Sequence, residues 1–122
     1  MKNLLLLLLF VPLVGFGQEI TRGQIIDKGL KKIQTFLPYD FNNGVVWTKA
    51  INEDDLSRVF IYQVSAEGIP LVNENISKTW LIKESKAADA YKIAKNNKIN
   101  CIWRYYHKKL LIKEVIVYPS DW

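Results

Sequence analysis

The chain is predicted to fold as a two-layer α+β domain: a four-stranded antiparallel sheet with helices on one face, in the order α-β-β-α-β-β. Three observations predict it. Two stretches carry apolar residues at helical spacing, two pairs of stretches alternate β-branched and aromatic residues with period two, and a short polar turn joins the members of each pair.

Residues 1–17 stand apart from the rest. Met1-Lys2-Asn3 is a short cationic start, Leu4 to Val14 is an apolar run broken only by Pro12, and Gly15 and Gly17 supply the small residues that precede a cut before Gln18. This is the pattern of a secretory signal peptide. The apolar run falls short of the roughly 20 residues that cross a bilayer, so cleavage rather than anchoring is expected. No Cys lies near the cut, which argues against a lipid-anchored N-terminus. No later stretch is long and apolar enough to span, so no stable membrane insertion is expected after cleavage, and the mature chain is expected in the periplasm or outside the cell. With no repeat, linker or low-complexity tract after the leader, residues 18–122 read as a single domain.

The first helix is announced by Thr21 and Gln24 at capping-box spacing, followed by Ile26, Leu30, Ile33 and Leu37 at helical steps. Pro38 should stop it, because proline lacks the backbone donor and disfavours helical geometry in the residue before it. Val45 to Ile51 and Arg58 to Val64 then read as two strands, and the polar stretch Asn52 to Asp55 between them as a hairpin loop. Gly68-Ile69-Pro70 breaks this pattern. Asn73 to Lys98 turns helical, with Ile76, Trp80, Ala87, Tyr91 and Ala94 at helical spacing, and is either one long helix or two pieces with a cap at Ser85. Its Lys78, Lys83, Lys86, Lys92, Lys95 and Lys98 read as a solvated cationic face. Ile99 to Tyr106 and Leu110 to Tyr118 form the second strand pair around His107-Lys108-Lys109, ending at Pro119.

Composition removes several classes of chemistry. One His and one Cys cannot build a thiolate or imidazole zinc site, which needs three or four such ligands, nor a Cys-bound iron–sulfur cluster. Glu53, Asp54 and Asp55 lack EF-hand spacing and read as a solvated loop tip, so neither metal nor cofactor is expected. Lys and Arg number 17 against 12 Asp and Glu, a net charge of +5 that falls by one when Lys2 leaves with the leader. That bias favours a mildly acidic partner but lacks the dense basic stripe of a nucleic-acid binder, so no nucleic acid is expected. Cys101 and His107 form the one catalytic pairing the composition permits, and six strand residues hold them about 20 Å apart. Cys101 is expected as a packed core thiol. No nucleophile elbow, phosphate loop, dinucleotide fingerprint or facing carboxylate pair is present, so the chain is not expected to be an enzyme.

Lys86 to Asp121 resembles a broad group of small exported bacterial proteins, many of them lipoproteins. The residues that carry the resemblance are Trp103-Arg104-Tyr105-Tyr106, the turn His107-Lys108-Lys109, and a strand closing on Pro119-Ser120-Asp121. An amphipathic helix ending in Leu37-Pro38 before a strand pair is also similar. Members of the group often place a Cys after the final Asp, paired to one near the second helix. This chain has Trp122 there, so the resemblance brings no disulfide. It implies the same α-β-β-α-β-β order and no particular activity.

Recognition is left, and the strand aromatics Trp47, Phe60, Tyr62, Trp103, Tyr105, Tyr106 and Tyr118 direct attention to the sheet. Arg104 and Tyr106 share a strand face opposite Trp103 and Tyr105. Arg104, Tyr106, Lys108 and Lys109 are therefore the candidate partner-binding residues, since Tyr, Trp and Arg anchor protein interfaces. The expected function is an exported, non-enzymatic binding module, an inhibitor or immunity-type protein that recognises another protein. The alternative is an envelope accessory protein that binds a small ligand or plays a structural role.

Overall fold

The computed structural model describes residues 20–88 and 91–122. The leader and its cut before Gln18 lie outside the described residues. Helix α1 spans Arg22–Gln34 and opens on the Thr21 capping box: the Gln24 amide donates to the Thr21 hydroxyl while the Thr21 amide donates to Gln24 Oε1 at 2.8 Å. Lys31 and Lys32 occupy its last turn, where positive charge complements the helix dipole. Ile26 and Leu30 are its buried stripe, and each contributes about 1.5–3 kcal/mol by leaving water.

Among the described residues the sheet has five strands, not the four expected, in the order β1 (Tyr39–Asp40), β2 (Val45–Asn52), β3 (Ser57–Val64), β4 (Asn100–His107) and β5 (Leu110–Val117). The extra strand is two residues long, too short to show any period, and Tyr39 pairs with Trp47. The sheet is also mixed rather than antiparallel. β2 pairs β3 and β4 pairs β5 as antiparallel hairpins, but β3 and β4 run parallel. The physical reason lies in the connection. Between the hairpins the chain crosses the sheet through α2 (Ile69–Asn75), α3 (Lys78–Ala87) and α4 (Tyr91–Asn96), and a crossover of that length returns the chain to the end where β3 began.

The second helical region is thus three helices, and its cap is not Ser85, which lies inside α3. Ser77 starts α3, its hydroxyl accepting from the Trp80 amide at 3.1 Å. Residues Ile26, Leu30, Val72, Leu81 and Ala94, drawn from all four helices, pack with Val45, Ala50, Phe60, Tyr62, Val64, Cys101, Trp103, Tyr105, Val115 and Val117 in one core. On β2 the alternation is interrupted. A bulge between Trp47 and Lys49 resets it, so Ala50 and not Lys49 faces the core opposite Phe60.

Two local contacts fix the ends of this scaffold. Gly44 has φ +89° and lies so close to Gly68 that a Cβ on Gly44 would stand 2.7 Å from the Gly68 nitrogen, which pins the start of β2 to the turn after β3. At the C-terminus Asp121 accepts from the Tyr118 amide at 2.7 Å and pairs with Lys78 at 2.8 Å, tying the Pro119–Asp121 turn to the first residue of α3. Trp122 packs against the core with its ring 5.7 Å from that of Tyr91. Among the described residues no helix is long and apolar enough to cross a membrane.

Candidate binding surfaces

The parallel register of β3 and β4 sets Phe60 opposite Trp103 and Tyr62 opposite Tyr105, all facing the helices. Tyr62 and Tyr105 stack with centroids 4.6 Å apart and planes 14° apart, and Trp47 on β2 continues the stack beside Tyr62 at 5.8 Å and 19°. Three strands therefore contribute one row of rings. The helices do not close over the whole row. Between it and α2 and α3 a cleft of about 320 Å³ remains, floored by Tyr62, Trp103 and Tyr105 and walled by Phe41, Leu71, Ile76, Trp80 and Leu81. Asn43, Glu84 and Ser85 supply its polar edge. Phe41 and Trp80, at 44% and 42% exposure, stand at its mouth, whereas Tyr105 on the floor is 3% exposed.

The floor phenols are held neutral. Burial pushes the Tyr62 hydroxyl far above its ordinary range, the neighbouring Tyr105 adds to this, and the Trp103 side chain, hydrogen-bonded to Tyr62, opposes it in part. Burial alone pushes up Tyr105. A pair of neutral phenols in an apolar cleft can donate and accept hydrogen bonds but cannot serve as a base near neutral pH.

The four residues singled out from the sequence divide into two groups. Arg104 lies on the sheet face away from the helices, where its Nε donates to Glu114 at 2.7 Å and one terminal nitrogen donates to Glu53, also at 2.7 Å. Those two hydrogen bonds, Glu53 first, raise its pKa further above the ordinary arginine value. Glu53 sits in the β2–β3 loop and Glu114 on β5, so Arg104 clamps the two sheet halves, and its charge is already matched. Val59 on the neighbouring strand β3 is fully buried but is not part of the core that the helices share. Tyr106 shares this face. Lys108 and Lys109 form the two-residue turn of the β4–β5 hairpin, with Lys108 at φ 57°, and are exposed. Beside them Leu110 and Leu111 are exposed at 67% and 42%.

The two sheet edges differ. β1 covers part of the outer side of β2, and Gln34 of α1 donates to the Ala50 carbonyl there at 2.7 Å. β5 is the other edge and, among the described residues, has only β4 as a neighbour. Cys101 and His107 occupy opposite ends of β4: Cys101 is buried with Sγ 3.3 Å from an Arg58 nitrogen, and His107 Nδ1 lies 2.8 Å from the Val64 carbonyl. The loop acids serve the turn, Asp54 and Asp55 holding the Leu56 amide and the Asn52 side chain.

Sequence reasoning missed the cleft. Its signal was present as aromatic residues at alternate positions in Phe60 to Tyr62 and Trp103 to Tyr105, but only the parallel register brings the two sets side by side, and Phe41, Leu71, Ile76 and Trp80 join them from distant segments. No protein-family model, no curated protein and no solved structure matches the chain.

Proposed function

We propose that the chain is a non-enzymatic binding module whose aromatic cleft takes a small, largely apolar ligand. The observation that carries the reading is the concave opening between the sheet and α2–α3, floored by the Tyr62, Trp103 and Tyr105 side chains. The leader pattern in residues 1–17 supports a role outside the cytoplasm, in the periplasm or the medium. The scarcity of nucleophilic and metal-binding side chains supports binding over catalysis. The test is titration of the mature chain with Prodan, an uncharged two-ring naphthalene dye whose emission moves to the blue in apolar surroundings, alongside Ser85→Trp, which fills the cleft from its half-buried rim. Saturable dye binding that Ser85→Trp weakens at least tenfold supports the reading. Absence of saturable binding, or equal binding by the variant, overturns it.

A second reading is favoured by a separate observation, the exposed Leu110 and Leu111 beside Lys108 and Lys109 at the tip of the β4–β5 hairpin. Apolar residues ringed by cations suit a mildly acidic protein partner, as an inhibitor or immunity-type protein would have. In this reading Tyr106, Lys108 and Lys109 contact the partner and Arg104 holds the sheet that presents them.

A further inference from the structure

The helices and the sheet divide the charge of the molecule unequally. Residues 22–34 and 69–98, which hold the four helices, carry ten Lys or Arg against four Asp or Glu, a net charge of +6. Residues 35–68 and 99–122, which hold the strands, carry six against seven. The helix layer is strongly cationic and the sheet is close to neutral.

Helix geometry decides where those cations point. At about 3.6 residues per turn, a side chain two positions from a buried one stands on the opposite side of its helix. Lys28 and Lys32 stand in that relation to the buried Ile26 and Leu30 of α1, Lys83 to Leu81 of α3, and Lys92 to Ala94 of α4, and all four lysines are exposed. The described acids of these three helices are turned elsewhere: Asp27 holds the Asn52 side chain at 3.1 Å and Glu84 edges the cleft. Glu74 belongs to α2. The outward faces of α1, α3 and α4 thus present lysines, and Ile93, 51% exposed, adjoins Lys92 among them.

The kind of cation narrows the partner. Nine of the ten helical cations are lysines, compact charges on flexible stems that demand no fixed geometry, whereas protein interfaces are depleted in Lys and lean on Arg, Tyr and Trp. They are spread over three helices, unlike the stripe that follows a nucleic-acid backbone. A fluid bilayer suits both features, because its anionic head groups rearrange to meet scattered ammonium groups and an exposed Ile reaches the boundary of its acyl chains.

We infer that the protein adsorbs peripherally to anionic lipid surfaces through the outward faces of α1, α3 and α4. This does not depend on the cleft. Each lysine held near such a surface strengthens adsorption by roughly fivefold, so four of them give a preference for anionic over neutral lipid of at least about a hundredfold.

Sedimentation of the mature chain with vesicles tests it, using phosphatidylglycerol mixed with phosphatidylcholine against phosphatidylcholine alone. Partitioning onto the anionic vesicles should show that preference at about 0.1 M salt and fall at least tenfold at about 0.5 M, where screening is stronger. Lys28→Glu on α1 and Lys83→Glu on α3 should each weaken it at least about fivefold. Lys49→Glu, which makes the same change of net charge on the exposed part of β2, should weaken it less than about twofold. All three variants should keep the circular dichroism of the parent, since the lysines are exposed. Equal partitioning onto neutral and anionic vesicles, or none onto either, overturns the inference. A loss with Lys49→Glu as large as with Lys28→Glu and Lys83→Glu also overturns it, because net charge and not the helical face would then be acting. Retention on heparin beads without partitioning onto vesicles overturns the lipid surface and gives the face to an anionic polymer.

Discussion

Tyr62 and Tyr105 stand directly opposite each other on neighbouring parallel strands, with ring centroids 4.6 Å apart and planes 14° apart. One comes from the first hairpin and the other from the second, so their stack joins the two halves of the sheet at the floor of the cleft. Both phenols are buried, and each keeps its proton well beyond the ordinary tyrosine value of 10.0.

This raised affinity for the proton gives a pH dependence with a definite sign. Above pH 10 the unfolded chain releases these protons and the folded chain retains them, so stability is full below pH 10 and declines as pH rises beyond it. Each retained proton costs up to about 1.4 kcal/mol per pH unit there. The thermal midpoint should fall steeply above pH 10, and phenolate absorbance should show two of the six tyrosines ionising only as the fold is lost. Six phenols titrating together near pH 10 with native circular dichroism would contradict this.

Replacing Arg104 by Leu should cost about 1 kcal/mol of stability or less, because the clamp to Glu53 and Glu114 is partly open to water and screened. The loss should be larger at low salt than at 1 M salt in chemical denaturation. A loss above about 3 kcal/mol would mean that the pairs behave as buried charges.

Under the second reading, reversing Lys108 and Lys109 to Glu should slow association with an acidic partner, most at low salt, because rim charges act on the encounter rate. Alanine at Leu110 and Leu111 should instead speed dissociation. Surface plasmon resonance on the partner recovered from the envelope fraction separates the two effects. Unchanged rates with these variants, together with lost binding on charge reversal at Lys83 and Lys86, would move the contact to the helical side.

Export should remove residues 1–17. Intact-mass and N-terminal analysis of secreted protein should find a chain beginning at Gln18, blocked by cyclisation with loss of ammonia. A terminus that retains Met1 to Gly17 would refute the expected location.

The α+β class, the capped first helix and both hairpins were legible in the sequence because each depends on residues close together along the chain: Thr21 with Gln24, Ile26 with Leu30, Val45 to Ile51 with Arg58 to Val64. The strand alternation also correctly placed Arg104 and Tyr106 on the face opposite Trp103 and Tyr105. Tertiary structure decided what depends on distant partners. The parallel pairing of β3 with β4 follows from how three helices carry the chain across the sheet, and no local pattern encodes it. β1 exists because Tyr39 and Asp40 find Trp47 and Val46, and two residues carry no periodicity of their own. Arg104, an exposed cation when read along β4, becomes a matched one because Glu53 and Glu114 meet it from a loop 51 residues earlier and a strand 10 residues later. The cleft belongs to the same class, since Phe41, Tyr62, Trp80 and Tyr105 become neighbours only when a loop, two parallel strands and a helix pack, and the energy of that packing is a property of the assembled fold.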